Sequence, residues 1–156
     1  MKLAEALAER ADAVRRVEQL RSRITANARH QEGEEPSENA AELLTEVEAV
    51  LDRLETLIAR INRTNSATSV GTTTLTQALA RRDVLRLRHS VVTDAADAAA
   101  GRDQRGYAVR QLRSELKFLS TLPVADLRGQ ADQLARELRE LDTDIQRTNW
   151  EVDLLD

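Results

Sequence analysis

The chain contains no cysteine, and it has few histidines, prolines and aromatic residues. Without cysteine it can form neither disulfides nor thiolate metal sites, and it has no cysteine nucleophile. Its one tryptophan, one tyrosine and one phenylalanine are too few to build a surface that stacks nucleic-acid bases. No apolar run reaches the roughly 18 residues of a transmembrane helix, and charges interrupt the first segment where a signal peptide is apolar. These absences favour a cytoplasmic protein without a membrane partner.

Residues that carry catalysis or bind metals are scarce as well. His30 and His89 are the two histidines, and neither lies in a recognisable nucleophile motif. The sequence has no phosphate-binding loop, no dinucleotide-binding glycine motif and no Glu-x-x-His on a helix. The acidic loop around His30 lacks the ladder of aspartate and asparagine ligands found in calcium sites. We therefore expect no catalytic residues, no metal and no cofactor, and we do not expect an enzyme.

The residues that are abundant are those of long amphipathic helices. Hydrophobic residues make up 41% of the chain and charged residues 32%, with alanine, leucine, glutamate and arginine prominent. The 156 residues suffice for one domain with its own core. The formal net charge of −4 argues against a general nucleic-acid-binding protein.

Apolar residues that recur every three or four positions predict four helices. We place these helices at residues 3–29, 38–65, 75–100 and 126–154. The predicted buried seam of the second helix is Leu43, Val47, Val50, Leu54, Leu57 and Ile61, and that of the fourth is Leu127, Ala131, Leu134, Leu138, Leu141, Ile145, Thr148 and Val152. The expected fold is mainly α: an antiparallel bundle of four long helices in which 1–65 and 75–154 form two related hairpins of one domain, 1–156. Residues 66–74 connect the hairpins, and residues 101–124 interrupt the second one.

Two further features of these helices follow from the sequence. The predicted buried seam of the first helix runs through positions 3, 7, 10, 14, 17, 21 and 24, so Arg10 and Arg21 occupy two of its places. We interpret both as side chains that extend from the edge of the seam into solvent, and a buried ion pair or an anion contact is the alternative. Ser37 is the expected N-cap of the second helix, followed by Glu38 in its first turn.

A short β-element is expected at one end of the bundle. Residues 66–74 are rich in serine, threonine and glycine, which disfavours a helix. Residues 109–122 fit both the helical period and the alternation of a strand. We favour a strand over 115–121 that pairs with 68–73.

A five-residue motif occurs twice, as Ile61–Asn65 (INRTN) and as Ile145–Asn149 (IQRTN). A shift of 84 positions overlays the whole of 43–65 on 127–149, including the apolar seam. Threonine and asparagine follow the core isoleucine by three and four residues, so they share its face of the helix. In an up-down-up-down bundle both motifs reach the same end.

Two interpretations of this repeat are open. It could be a polar lid on an apolar core, in which asparagine caps a helix or forms a buried pair that fixes register. It could instead bind a small anionic ligand, with threonine and asparagine as hydrogen-bonding groups and arginine as the charge. The candidate ligand-binding residues are Arg63, Thr64, Asn65, Arg147, Thr148, Asn149 and the neighbouring Trp150, together with Arg82 and Asp83 of the third helix.

The run from Arg81 to His89 is the most basic part of the chain. Asp83 offers a partner to the arginines within this run, so a charged helix face or interhelical salt bridges explain it. A face that binds an anion or RNA is the alternative. An enzyme that uses Arg82 and Asp83 is the weakest hypothesis.

The segments NARHQEGEEP, LIARINRTN, TLTQALARRDVL, SELKF and RELDTDIQRTNW follow one another along the chain. In these segments the chain resembles a family of small bacterial proteins of unknown function, some members of which carry the label septicolysin. The resemblance spans nearly the whole chain and implies no catalytic residues. The label implies a cytolysin, which the sequence disfavours, because it has no membrane-inserting hairpin of alternating apolar residues and few aromatics for a membrane interface.

These observations lead to one expected function and one alternative. Thin helical layers with few aromatic residues need more apolar cover than one chain supplies, so we expect self-association. The expected protein is a non-enzymatic, cytoplasmic homo-oligomer of helices, and the alternative is a binding module for a small anionic ligand.

Overall fold

The computed structural model describes residues 1–102 and 117–156, and this part of the chain is mainly helical. Its helices are α1 (Leu3–Asn27), α2 (Ala40–Ala67), α3 (Leu75–Ala99) and α4 (Val124–Glu151), and its strands are β1 (Ser69–Val70) and β2 (Thr73–Thr74). The prediction of a mainly α fold with four long helices and a short β-element is confirmed.

The chain divides into two compact units. The first comprises Met1–Thr76 together with Gln146–Asp156, and the second comprises Gln77–Ile145. The first unit therefore holds α1, α2, the two strands and the last residues of α4. The second unit holds most of α3 and the longer part of α4.

In the first unit α1 and α2 run antiparallel. The ion pairs between them show this direction, since they join residues early in one helix to residues late in the other. These pairs are Glu9 with Arg53, Arg16 with Glu46, and Arg23 with Glu38 just before α2. Each such exposed or half-exposed pair contributes at most about 1 kcal/mol to stability. Together the pairs define which faces of the two helices meet.

The pair of Arg23 and Glu38 joins the end of α1 to the chain just before α2. Arg23 Nε donates to both oxygens of the Glu38 carboxylate, at 2.9 and 3.1 Å. The backbone N–H of Glu38 also donates to Oδ1 of Asn27 at 3.0 Å. The hydrogen bonds from Arg23 hold the pKa of the Glu38 carboxyl below its ordinary value, and the same carboxylate raises the pKa of Arg23.

Asn39, not Ser37, is the N-cap of α2. Its side-chain Oδ1 accepts the backbone N–H groups of Ala41 at 3.0 Å and Glu42 at 3.4 Å, which otherwise have no partner in the first turn. The helix consequently begins at Ala40, two residues later than the serine-based prediction. Both residue types are good caps, so composition alone did not distinguish them.

The core of the first unit lies between α1 and α2. Leu20, Leu43 and Val47 form a buried cluster, with the partly buried Val17, Ile24 and Val50 packed against it. The predicted seam of α2 is confirmed, since every one of its members is buried or half-buried: Leu43, Val47, Val50, Leu54, Leu57 and Ile61.

The predicted seam of α1 is wrong in part. Val14 is 47% exposed, which contradicts its predicted place in the seam. Arg10 and Arg21 are exposed, as expected of side chains that extend from the edge of the seam into solvent. The buried residues of α1 are Leu3, Ala6 and Leu20. Of these, Leu3 alone belonged to the predicted seam. Leu20 lies three residues after Val17 and four before Ile24, so it shares their face of the helix and occupies the buried place that the prediction gave to Arg21.

The two strands form a local antiparallel hairpin, in which Ser69 pairs with Thr74 and Val70 with Thr73. Gly71, at the first turn position, has a φ of 60°, a conformation that glycine adopts without a steric penalty. The predicted pairing of 68–73 with a strand at 115–121 is therefore wrong. Residues 115–116 lie outside the described residues, and 117–121 form no strand.

In the second unit α3 and α4 also run antiparallel. Arg81 in α3 lies 3.8 Å from Glu137 in α4, and Asp97 near the end of α3 lies 2.7 Å from Arg128 near the start of α4. The predicted seam of α4 is confirmed, with every member buried or half-buried: Leu127, Ala131, Leu134, Leu138, Leu141, Ile145, Thr148 and Val152.

The helix lengths match between the two halves of the sequence. α1 and α3 each contain 25 residues, and α2 and α4 each contain 28. The bounds of α2 and α4 differ by the same 84 positions as the repeated motif, 124 against 40 and 151 against 67. This agreement favours an internal duplication over a chance recurrence of the motif.

Candidate functional site

The two R-T-N triplets occupy corresponding places near the ends of α2 and α4, and both belong to the first unit. The buried members are Thr64, Thr148 and Asn149. Asn65 is half-buried, whereas Arg63 and Arg147 are exposed. In both triplets, threonine and asparagine are thus shielded from solvent and arginine is not.

The Thr64 hydroxyl joins two segments of the first unit. It donates to the carbonyl of Arg60, one turn earlier in α2, at 2.8 Å, and it accepts the backbone N–H of Leu155 at 3.0 Å. Thr64 is fully buried, and its one hydroxyl proton is already used. These bonds give Thr64 a structural role, which is to hold the segment 152–156 against α2.

Arg60 strengthens the same attachment. Its Nε donates to the carbonyl of Leu155 at 3.0 Å, and its Nη2 donates to a carboxylate oxygen of Asp156 at 2.6 Å. Arg60 and Thr64 are one turn apart, so they present their side chains on the same face of α2. The segment 152–156 is therefore fixed to α2 by two neighbouring side chains.

The beginning of the chain holds this segment from another side. The backbone N–H of Leu3 donates to the carbonyl of Val152, and that of Leu154 donates to the carbonyl of Met1, each at 2.9 Å. Lys2 and Asp153 form an antiparallel bridge between these bonds, and Lys2 Nζ lies 3.1 Å from the Asp153 carboxylate. The segment after α4 is thus an integral part of the first unit.

The asparagines do not cap their helices, which corrects that part of the polar-lid interpretation. α2 continues for two residues beyond Asn65, to Ala67, and α4 continues for two residues beyond Asn149, to Glu151. Within the described ranges, only glycines have a positive φ, so neither asparagine adopts the left-handed conformation of a helix C-cap. Trp150, next to the second triplet, is 63% exposed.

Arg63 lies at the edge of an open depression on the first unit. The depression has a volume of about 720 Å³, and its charged lining residues include Arg60, Asp52, Glu55 and Asp156. Three carboxylates therefore accompany two guanidinium groups. This balance of charge is less favourable to a small anion than the arginines alone suggest.

Arg82 and Asp83 belong to the second unit, where they form part of an ion-pair network. Arg82 donates to Asp83 Oδ1 from Nε at 3.2 Å and from Nη2 at 3.1 Å. Asp142 of α4 lies 3.9 Å from Arg82 and 3.4 Å from Arg86. Arg82, Asp83 and Arg86 are therefore accounted for by ion pairs within α3 and with α4.

The described residues contain neither a cluster of metal-ligating side chains nor a membrane-spanning helix. Between 1 and 102 and between 117 and 156, no three histidine, aspartate or glutamate side chains come together as metal ligands. No helix in these two ranges is long and apolar enough to cross a membrane.

Two stripes of exposed apolar residues were missed by the sequence reasoning. On α2, the residues Leu44, Leu51 and Ile58 recur every seven positions outside the core seam. On α3, Val84, Leu87 and Val91 are exposed, the last two to 67% each. The seven-residue spacing on α2 was visible in the sequence as a second stripe beside the seam.

The α3 stripe borders a shallow apolar groove in the second unit. The groove has a volume of about 320 Å³, and Gln130 and Leu134 of α4 form its other wall. Arg88 lies among the apolar residues of α3 that line it. An open apolar groove with a charge at its edge is a surface suited to another helix rather than to a small polar metabolite.

Comparison with known proteins places the chain in a family. No protein of curated function matches its sequence. A conserved, functionally unknown protein from Corynebacterium diphtheriae, known from its crystal structure, is 43% identical over 99% of both chains, with a TM-score of 0.90. A family model described as a family of unknown function, DUF6847, matches residues 10–154. Neither description carries the septicolysin label or names a cytolytic activity. By these matches, the chain belongs to the DUF6847 family of unknown function.

Proposed function

We propose that the protein is a non-enzymatic helical protein that acts in the cytoplasm by self-association. The observation that carries this proposal is the exposed apolar stripe of α3 with its adjoining groove. Leu87 and Val91 each expose 67% of their surface. Burial of a large aliphatic side chain contributes about 1.5–3 kcal/mol, so an interface that covers both offsets part of the free-energy cost of association.

The polar residues that suggested a catalytic or binding site support the same proposal. The hydroxyl of Thr64 is used within the first unit, and Arg82 and Asp83 are paired with each other. Side chains that hold the fold together are poorly placed to act on a substrate. The exposed apolar stripes, by contrast, are not covered by any of the residues that the structure describes.

The test is the molar mass of the protein in solution, measured by light scattering coupled to size exclusion. We expect the wild type to be larger than one 17.4 kDa chain and its mass to fall with dilution. Replacing Leu87 and Val91 by glutamine should shift it towards the monomer. Ser90→Gln is the matched control, since Ser90 is exposed on the same helix outside the stripe. A wild type that is monomeric at all concentrations contradicts the proposal.

Binding of a small anion at the R-T-N triplets is the second candidate function. It is favoured by the presence of two exposed arginines, Arg63 and Arg147, in the same unit beside shielded threonine and asparagine. The test is a thermal shift with inorganic phosphate. We expect a rise in melting temperature that is lost in Arg63→Gln and kept in Arg29→Gln, an exposed arginine elsewhere. No shift in the wild type rejects this candidate.

A further inference from the structure

The exposed stripe on α2 is part of a face with alternating apolar and acidic residues. Leu44, Glu48, Leu51, Glu55 and Ile58 follow one another at intervals of four, three, four and three, which places them along one side of the helix. All five are exposed. We name this set the acidic face. Within the residues that the structure describes, Glu48 and Glu55 have no ion-pair partner.

The exposed stripe on α3 has the opposite charge. Arg81, Val84, Arg88 and Val91 follow one another at intervals of three, four and three, with Leu87 beside them. All are exposed, and we name this set of five residues the basic face. Arg88 has no ion-pair partner among the described residues. Arg81 has a long one, 3.8 Å from Glu137.

The two faces match in spacing as well as in charge. Glu48 and Glu55 are seven residues apart, and so are Arg81 and Arg88. Seven residues correspond to about 10.5 Å along a helix, so both arginines can meet both glutamates in one register while the aliphatic residues between them pack. Opposite charges at matching places of two helices favour this pairing and disfavour the pairing of two like faces.

We propose that the acidic face of one copy binds the basic face of a second copy. The inference rests on the proposed self-association and specifies its contact. The contact joins two different surfaces, so an assembly that does not close into a ring keeps one free acidic face at one end and one free basic face at the other. The proposed occupant of the groove beside α3 is therefore α2 of a neighbouring chain.

Two charge-reversal variants test this pairing. Variant A carries Glu48→Arg and Glu55→Arg, and variant B carries Arg81→Glu and Arg88→Glu. Each variant has two faces of like charge, and we expect its association to weaken by about a hundredfold or more, since facing like charges are strongly unfavourable. An equimolar mixture of A and B restores opposite charges at every contact and should assemble as the wild type does.

Matched controls separate this effect from a change in net charge. Glu32→Arg with Glu34→Arg repeats the charge change of variant A in the loop before α2. Arg10→Glu with Arg29→Glu repeats that of variant B on exposed arginines away from the basic face. All variants are compared by sedimentation velocity, and helical circular dichroism and thermal melting establish that each one folds.

The outcomes distinguish the two proposals. A monomeric wild type overturns self-association and, with it, this inference. An oligomeric wild type that variant A leaves unchanged overturns only the inference, as does a mixture of A and B that stays monomeric. If a variant fails to fold, the salt dependence of wild-type association still tests the inference. A contact between opposite charges weakens as the salt concentration rises, so an assembly that salt does not weaken contradicts the proposed contact.

Discussion

Replacement of Thr64 by valine tests how the segment 152–156 is held. Valine has the shape of threonine without the hydroxyl, so it preserves packing at this fully buried position. It removes the bond to the Arg60 carbonyl at 2.8 Å and the bond from the Leu155 N–H at 3.0 Å. One intramolecular hydrogen bond contributes about 0.5–1.5 kcal/mol net.

The expected loss of stability is set by what remains after the hydroxyl is gone. Leu155 is 42% exposed, so water can partly replace the bond to its N–H. We therefore expect the free energy of unfolding to fall by about 1–2 kcal/mol, near the sum of two modest bonds. For a chain of this length, that corresponds to about 2–8 °C in melting temperature.

Urea denaturation measures this change, and Thr56→Val is the matched control. The Thr56 hydroxyl donates to the carbonyl of Asp52 at 3.1 Å, which is the counterpart in α2 of the bond from Thr64 to Arg60. Thr56 is exposed, however, and among the described residues its hydroxyl accepts no bond comparable to the one from Leu155. We expect the control to change stability by less than about 0.5 kcal/mol. Hydrogen exchange gives an independent readout, because the Leu155 amide should lose protection only in Thr64→Val. Equal effects of the two substitutions would refute the assigned role of Thr64.

Three further predictions concern the core, the helix cap and the ion pair of the first unit. Leu20→Ala removes a fully buried side chain and should reduce the free energy of unfolding by about 2–5 kcal/mol in urea titrations; a loss under about 1 kcal/mol would contradict its place in the core. Asn39→Ala should reduce stability by about 1 kcal/mol through loss of the N-cap, whereas Ser37→Ala should have little effect in the same assay. Arg23 lowers the pKa of the Glu38 carboxyl in the folded state. The ion pair therefore stabilises the fold at pH values above the ordinary carboxyl pKa, and this stabilisation disappears as the pH falls through the lowered pKa of the folded state. The stability difference between wild type and Glu38→Gln should therefore shrink on acidification across that range, and a difference that stays constant in urea titrations at successive pH values would contradict the coupling.

The sequence predicted the helices well because their apolar periodicity is strong. It predicted the α2 and α4 seams correctly, since leucine or isoleucine occupies most positions of each. The α1 seam was wrong at Val14, which is exposed, and it left out the buried Leu20, one position before Arg21. The spacing of Leu20 from Val17 and from Ile24, three and four residues, already indicated that these three share one face.

The β-hairpin and the candidate site show where local patterns were insufficient. Gly71 lies between Ser69-Val70 and Thr73-Thr74, a pattern that indicates a tight hairpin. The prediction instead paired this segment with a distant strand and was wrong. The role of Thr64 could not be predicted, because its partner Leu155 is 91 residues away in sequence. Long-range backbone contacts of this kind leave no periodic signal.

The two copies of the repeat differ in a way that limits what the motif can mean. In both, the threonine carbonyl accepts a backbone N–H four residues on, from Thr68 at 2.9 Å and from Val152 at 3.0 Å, near the end of the helix. Only the first copy has Arg60 one turn earlier. The shift of 84 positions places Asp144 there in the second copy, with the opposite charge. Arg60 binds the segment 152–156 through its guanidinium group, and Asp144, at the corresponding position of the second copy, cannot bind a segment in the same way. Both helices thus end with the same backbone bond, whereas the attachment of residues 152–156 through Arg60 and Thr64 belongs to the first copy. A ligand that needs both copies in equivalent roles is consequently disfavoured, and single substitutions in the two triplets should have unequal effects on stability.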